Sequence, residues 1–374
     1  MTTPETSNPS SRLVSLDALR GFDMFWIIGG EGVFHALAKW SGWSLALWAS
    51  HQLHHVKWNG FVFYDMIFPL FLFIAGAAMP FSLTKRLERG ENKQKLMFHV
   101  VRRGLVLVLL GIIYNNGLFR VALGEMRYPS VLGRIGLAYL LAALIVLNTR
   151  LRGQVLWFGG LLLGYWAAMM WIPVPGYGAG QLTLDGSLVA YLDRLLVPGK
   201  LYLGVHDPEG LLSTIPAIST ALLGAFAGYL LRRDFPGVTR GRKALLLVGA
   251  GIACLVLGRL WGLTFPINKN LWTSSFVLYA GGWSLLLLAL FYAVIDVWGK
   301  KQWSFFFVVI GMNSILIYMA GSLIDFGYTT DFFLKGLLQP LSAAAQAIFW
   351  WIGFILVEWL FLYFLYRKKL FLRV

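Results

Sequence analysis

The sequence predicts an all-α, polytopic membrane protein of about ten transmembrane helices with both termini in the cytoplasm. Three observations carry that prediction. Of the 374 residues, 58% are hydrophobic and only 13% are charged, about half the charged share of a soluble domain. Apolar stretches of about 20 residues recur along the chain, the length that spans a hydrocarbon core. The 32 basic residues outnumber the 17 acidic ones, and they gather in alternate connections, as topology signals do. In a soluble protein the resulting charge of +15 would suggest nucleic acid. Here it is a property of the loops, and no nucleic-acid partner is expected. The single Cys254 leaves no disulfide framework and no cysteine metal cluster.

Taken in order, residues 1–12 are rich in Ser, Thr and Pro and read as a disordered cytoplasmic segment, and 13–374 as one transmembrane domain. Spans are expected near 14–38, 59–83, 99–119, 130–148, 154–172, 211–231, 244–264, 272–297, 303–324 and 344–366. The connection after the second span holds Lys85, Arg86, Arg89, Lys93 and Lys95, and that after the sixth holds Arg232, Arg233, Arg240, Arg242 and Lys243. The intervening connections hold few, among them Lys57, Arg127 and Lys269. The positive-inside rule therefore puts His51, His54, His55 and the 173–210 and 265–271 loops outside. The 173–210 loop, with an amphipathic stretch at Leu184–Leu196, is read as a lid or vestibule wall.

The first span is too long and too charged for a cleavable leader. On an unbroken helix Arg20 and Glu31 lie about 20° apart, and Asp17, Asp23 and His35 lie within about 60° of Arg20. One charged stripe means a face turned to protein or to a wet cavity. Asp17, Arg20 and Asp23 also read as an ion cluster that locks packing.

The chemical centre is expected where the second span begins. His51, His54 and His55 precede the collar Lys57-Trp58-Asn59-Gly60, and Asp65 is the one acid in the apolar run that follows. Imidazole is the side chain best suited to moving protons near neutral pH. The histidine spacing could hold a metal, but acids are not clustered with it, and no metal is expected. Arg134, inside the fourth span, needs an anion or several carbonyls; the candidate anions are Asp65, Glu31, or a ligand phosphate or carboxylate. Asn313 reads as interhelical glue or as a ligand contact. Asp207 and Glu209 precede the sixth span, and Asn268, Lys269 and Trp272 precede the eighth. Acids beside tryptophans such as Trp58 and Trp272 suit a sugar, which needs acceptors for its hydroxyls and a ring for its apolar face. They also suit helix caps and a membrane aromatic belt.

Several segments together are similar to one family. They are RLVSLDALRGFD at 12–23, HVKWNG at 55–60, DMIFPLFLFIAG at 65–76, PSVLGRIG at 129–136, DPEGLL at 207–212, NKNLWT at 268–273 and GMNS at 311–314. This order resembles the heparan-α-glucosaminide N-acetyltransferase family and its bacterial relatives. The resemblance implies a multi-helix acyltransferase that takes acetyl from cytosolic acetyl-CoA and delivers it to a glucosamine amine across the membrane. The active histidine of that family precedes the Trp-Asn-Gly collar, which is the position of His55. A lysosomal member carries an Asn near the outer end of the first helix, where this chain carries Glu31. A bacterial-type enzyme of the inner membrane, acting on an amino sugar or small glycan, is the expectation, with a homodimer among the assemblies expected.

The residues support that chemistry in their own terms. Acetyl transfer to an amine needs a base or a nucleophile, a role for His55, with Glu31 or Asp65 to orient it. Asn59 and Lys57 are candidates to hold the developing oxyanion. Asn59, Trp58, Asp207, Glu209, Asn268, Lys269 and Trp272 are the expected acceptor-binding residues, and Arg134, Arg20 and Asn313 the expected donor-binding ones. The alternative is a transporter or flippase for a sugar or lipid-linked glycan, which broken helices would support. None is evident in the sequence.

Overall fold

The computed structural model describes residues 13–117 and 121–372; the 1–12 segment read as disordered lies outside them. In chain order the helices are α1 Val14–Phe25, α2 Glu31–Ser41, α3 Ser44–Gln52, α4 Phe63–Met79, α5 Lys85–Glu88, α6 Lys93–Asn116, α7 Val131–Asn148, α8 Leu151–Trp171, α9 Leu188–Leu196, α10 Thr214–Arg232, α11 Arg240–Trp261, α12 Ser274–Tyr292, α13 Phe305–Met312, α14 Ser314–Leu323, α15 Phe326–Leu338 and α16 Ala343–Arg367. Among the described residues there are no strands beyond two isolated bridges. Each of the ten expected spans falls on helix. Among the described residues seven helices are long and apolar enough to cross a membrane, or eight if α13 and α14 count as one broken span. The chain is thus multi-pass by length and composition. The 14–38 and 154–172 spans are helical but lie outside that set. The short α3 and α15 were not foreseen.

The first span departs from the expected straight helix. A π-helical turn at Trp26–Gly30 separates α1 from α2, with Ile28 and Gly29 non-helical and Gly29 at φ +116°, a conformation that only glycine takes cheaply. The break resets the helical phase, so the 100° wheel that aligned Arg20 with Glu31 does not apply across it. A second break, unseen in the sequence, bends α13 from α14 by 59° at Asn313. The side chain of Asn313 donates to Leu370 O at 2.9 Å and accepts from Leu372 N at 3.0 Å. Its amide holds the C-terminal tail at the kink.

Burial orders the bundle. The apolar windows of α4 and α10 are 78% and 83% buried, against 22% for α11 and α16, so α4 and α10 form the centre and α11 and α16 the lipid-facing rim. Membrane helices gain little by burying leucine against leucine and approach through small residues instead. A Cβ on Gly76 would sit 1.9 Å from Ala221 O, and one on Gly224 would sit 2.0 Å from Phe73 O. The central contact of α4 with α10 is therefore backbone against backbone.

The basic connections meet at one end. Arg232 pairs with Glu88, Arg86 forks onto Glu91, and Asp296 accepts from Ser15 N and offers its carbonyl to Arg240. The connections with few basic residues meet at the other end. There Gly60 N donates to Ile267 O, Asn268 to Asn59, and Trp58 to Leu182 O.

Candidate active site

The site is built on the start of α4. Val62 is extended and opens the helix, and Asp65, three residues on, turns its carboxylate back to accept from Val62 N at 3.2 Å. This local capping contact, aided by the helix dipole, is why one acid is tolerated at the mouth of so apolar a helix. The other oxygen of Asp65 lies 2.8 Å from His55 Nδ1. Asp65 is 1% exposed and His55 48%. A buried carboxylate fixes the proton on Nδ1 and leaves Nε2 as the basic atom. The Tyr64 ring leans on the imidazole at 4.8 Å, and its hydroxyl lies beside Glu31 at the start of α2.

A second wall comes from the α11–α12 connection. Asn268, fully buried, accepts from Leu271 N, and its backbone N–H donates to the Thr273 hydroxyl. Trp272 takes a left-handed φ of +50°, a strained conformation for so bulky a residue. This tight loop delivers Lys269, whose Nζ is 3.0 Å from both ring nitrogens of His55 and 3.9 Å from Asp65 Oδ1. Burial lowers the pKa of Lys269 below that of an ordinary lysine, against the opposing pull of Asp65 and Glu209.

The third wall is an ion-paired latch. Arg127, between α6 and α7, donates from Nε and Nη2 to the two oxygens of buried Asp207, each at 2.8 Å, and pairs with Glu209. Burial opposes the charge on Asp207, but the Arg127 fork outweighs it and holds the carboxylate below its usual range; the same pair raises Arg127 against its own burial. Behind the latch, the fully buried His206 lies 3.0 Å from Asp193 Oδ2 and 3.2 Å from Asn270 O. That contact ties α9 and the 265–271 loop together.

These walls enclose a cavity of about 540 Å³. His55, Tyr64, Asp65, Arg127, Glu209 and Lys269 face it from the mouth, and Met24, Ile27, Phe68, Phe71, Ile135 and Ile315 line its depth. Phe71 is eight residues below Phe63, about 12 Å along α4. A polar, titratable mouth thus opens onto an apolar throat.

The sequence-predicted residues divide accordingly. His55, Asp65, Glu209, Lys269 and Lys57 line the cavity, and Glu31 joins through Tyr64. Asp207 is consumed by Arg127. Asn59 accepts from Asn268 at 3.0 Å, and Trp58 donates to Leu182 O at 2.9 Å; these three residues tie loops together rather than line the cavity. Trp272 is 1% exposed, its indole N–H on Thr220, so it presents no ring to a sugar or to a membrane surface. Arg134 is likewise 1% exposed and lies beneath the site. It bonds to Ser213 and to Gly210 O and stacks 4.9 Å over Trp272, while its Nε and Nη1 make no hydrogen bond among the described residues. Its neighbours are thus a hydroxyl, a carbonyl and an indole, not the Asp65 or Glu31 carboxylate expected. Arg20 lies 3.5 Å from Asp17 on α1, and Asn313 holds the tail, both away from the cavity lining. The other two histidines of the cluster turn elsewhere: His54 packs on His35 at 4.3 Å, and His51 is exposed. No group of three metal-binding side chains occurs among the described residues. Sequence reasoning missed Tyr64 and counted Arg127 only as a loop charge. A tyrosine directly before Asp65 and an arginine in a charge-poor outer loop were the available signals.

Comparison with known proteins gives the chain's kinship. Residues 12–122 match a family described as a domain of unknown function, DUF5009. Heparan-alpha-glucosaminide N-acetyltransferase of Homo sapiens is 29% identical over 86% of this chain and 55% of its own length; that of Mus musculus is 30% identical over 86% of the chain and 56% of its own length. The chain is homologous to these two proteins and spans about half the length of each.

Proposed function

We propose that this chain is a membrane acetyltransferase. It moves acetyl from acetyl-CoA to the amine of a glucosamine-type sugar or small glycan, with the basic end in the cytoplasm and the site at the opposite end. One observation carries the proposal: the His55–Asp65 pair presents a basic Nε2 to a cavity with a polar mouth and an apolar throat, in a chain homologous to N-acetyltransferases. Asp65 accepts the Nδ1–H and steadies the imidazole. Nε2 takes a proton from the amine as nitrogen attacks the thioester carbon, and the carbon–sulfur bond breaks to give thiol and amide. Glu209 and Glu31 provide acceptors for sugar hydroxyls or for the incoming ammonium. The throat suits the apolar stem of a thioester donor. Direct transfer fits better than an acetyl-imidazole, because His55 is half exposed and such an intermediate would hydrolyse.

The test is to incubate purified protein with acetyl-CoA and a panel of amino sugars, and to follow CoA release and acetylated product by mass spectrometry. No product with any amine would overturn the proposal. The two broken helices favour a second reading, transport, because α1 and the turn after it pack against α13 and α14, and discontinuous helices frame many transport sites. Sugar uptake by proteoliposomes without acetyl-CoA would select it.

A further inference from the structure

Acetylating an amine at neutral pH poses a proton problem that one histidine does not solve. The acceptor arrives as an ammonium and leaves as an amide carrying one fewer substituent proton than the free amine, so nitrogen sheds two protons. The departing sulfur takes one. The second needs another acceptor, within reach of the first base and not already committed.

The structure offers one group at that position. Lys269 Nζ stands 3.0 Å from both Nδ1 and Nε2 of His55 and 3.9 Å from Asp65 Oδ1, and its side chain is only 16% exposed. It is not a rim lysine that has swung inward. Asn268, Thr273 and the left-handed Trp272 lock the backbone on both sides, and Trp272 N donates to Lys269 O at 3.1 Å. The charged groups around it are His55 in the α3–α4 connection, Asp65 at the start of α4, Glu209 before α10, and Arg134 on α7. The nearest carboxylate, Asp65, is also bonded to His55 and Val62 N; it favours the ammonium, and burial works against it. Burial then favours the neutral amine, which has a lone pair to offer an imidazolium.

Resting on the acetyltransferase reading, we propose that Lys269 works as a neutral amine and takes, through His55, the proton that sulfur does not. His55 Nε2 removes one proton from the substrate ammonium and passes it to Lys269 Nζ, regenerating the neutral imidazole. The freed nitrogen lone pair forms the bond to the thioester carbon, and the carbon–sulfur pair leaves on sulfur. His55 removes the second proton from nitrogen and gives it to that sulfur. Lys269 then releases its proton to water through the mouth. Lys269 acts on the base and does not touch the substrate, so it is a positioning and relay residue.

Two variants separate this role from that of a fixed cation. Arginine keeps the charge but does not release a proton in a protein, so Lys269→Arg should lose about 10²-fold in turnover at pH 7. Lys269→Met should show a similar loss at pH 7 that shrinks as pH rises, because a substrate that arrives as a free amine has only one proton to shed. Turnover is measured from pH 6 to pH 9 on monodisperse protein with an amino-sugar acceptor, alongside acetyl-CoA binding. Lys269→Arg within threefold of wild type, or a Lys269→Met deficit constant across pH, would overturn the relay and leave Lys269 an ordinary cation. Failure of the wild type to acetylate any amine would instead sink the acetyltransferase reading itself.

Discussion

Removing the guanidinium of Arg127 should expose what the latch contributes. In Arg127→Met the fully buried Asp207 loses two charge-assisted hydrogen bonds and Glu209 loses its ion pair. Tyr202 N and Glu209 N, each 3.0 Å from Asp207, remain but do not neutralise a charge. Breaking a buried pair from one side costs about 3–5 kcal/mol, chiefly through the charge left behind. Asp207→Asn alone leaves Arg127 paired with Glu209 and should cost about 1–2 kcal/mol. The double variant no longer buries an unpaired charge at Asp207, so its cost should fall short of the sum by about 2–3 kcal/mol.

The sign of the pH response is a separate check. In the wild type the pKa of Asp207 lies below its unfolded value, because Arg127 overcomes burial. That contribution is present above about pH 4 and lost only as pH falls through the folded value. In Arg127→Met burial is opposed only by the Tyr202 and Glu209 N–H groups, so the folded pKa should rise above the unfolded one, and stability is lost as pH rises from the unfolded value to the folded one. Above pH 5 the latch contributes no slope in the wild type, while the variant should weaken until pH passes the raised folded value of Asp207. Unfolding by SDS in mixed micelles, followed by tryptophan fluorescence, reads both effects. A single-variant cost under about 1 kcal/mol, or parallel pH responses, would refute the reasoning.

Other outcomes follow from the same geometry. His55→Ala should lose about 10²–10⁴-fold in turnover with acetyl-CoA binding retained, and His51→Ala and His54→Ala far less; an active His55→Ala removes the central assignment. Asp65→Asn should keep the fold but favour the wrong tautomer, at a loss of up to about 10⁴-fold, seen as a fall in kcat rather than a rise in KM. Arg134→Lys forfeits the fork held by Ser213 and Gly210 under Trp272, so it should lower stability by about 1–3 kcal/mol and leave donor affinity alone; a tenfold loss of donor affinity in folded protein would return Arg134 to the binding site. A cysteine in the 173–210 segment should react with an impermeant thiol reagent in intact cells and one at 88–95 should not, and the reverse pattern would invert the orientation.

How far the sequence reveals this site depends on whether chemistry or phase carries the signal. His55 and Asp65 are legible because each is an unusual residue type for its place: imidazole at a helix mouth, and a lone acid in an apolar run. Arg127 is not legible, because a guanidinium among 32 basic residues carries a topology signal whether or not it also binds a carboxylate. The stripe read on the first span failed for a geometric reason. Helical wheels add 100° per residue only while the helix is unbroken, and the Gly29-Gly30 pair was the one hint that it is not. Trp272 was misread because composition does not say which way a ring points, and only its left-handed backbone turns it inward.

The same division shows where specificity resides. Asp65 is set by α4, whose position against α10 is fixed by glycine contacts that admit no Cβ, and His55 in the α3–α4 connection is tied to it, so a change of substrate has little freedom to begin there. The mouth is built differently. Arg127 with Asp207 and Asn268 with Asn59 each join two connections of otherwise unrelated sequence, and His206 with Asp193 closes the 173–210 segment on itself. Each is a polar pair with at least one fully buried member, and removing a single partner leaves an unsatisfied group. Such pairs fix the vestibule's shape over a small apolar cluster of Tyr165, Met169, Leu188, Val189, Phe265 and Leu271. Altering the 173–210 segment between its Asp193 and Asp207 anchors changes the vestibule wall while leaving His55, Asp65 and the throat where they are. Chimeras exchanging 197–205 between relatives should therefore shift the preferred acceptor, read as a change in KM among amino sugars, with kcat on a minimal amine preserved. A chimera that lost kcat on every amine would mean that the mouth and the base are one mechanical unit.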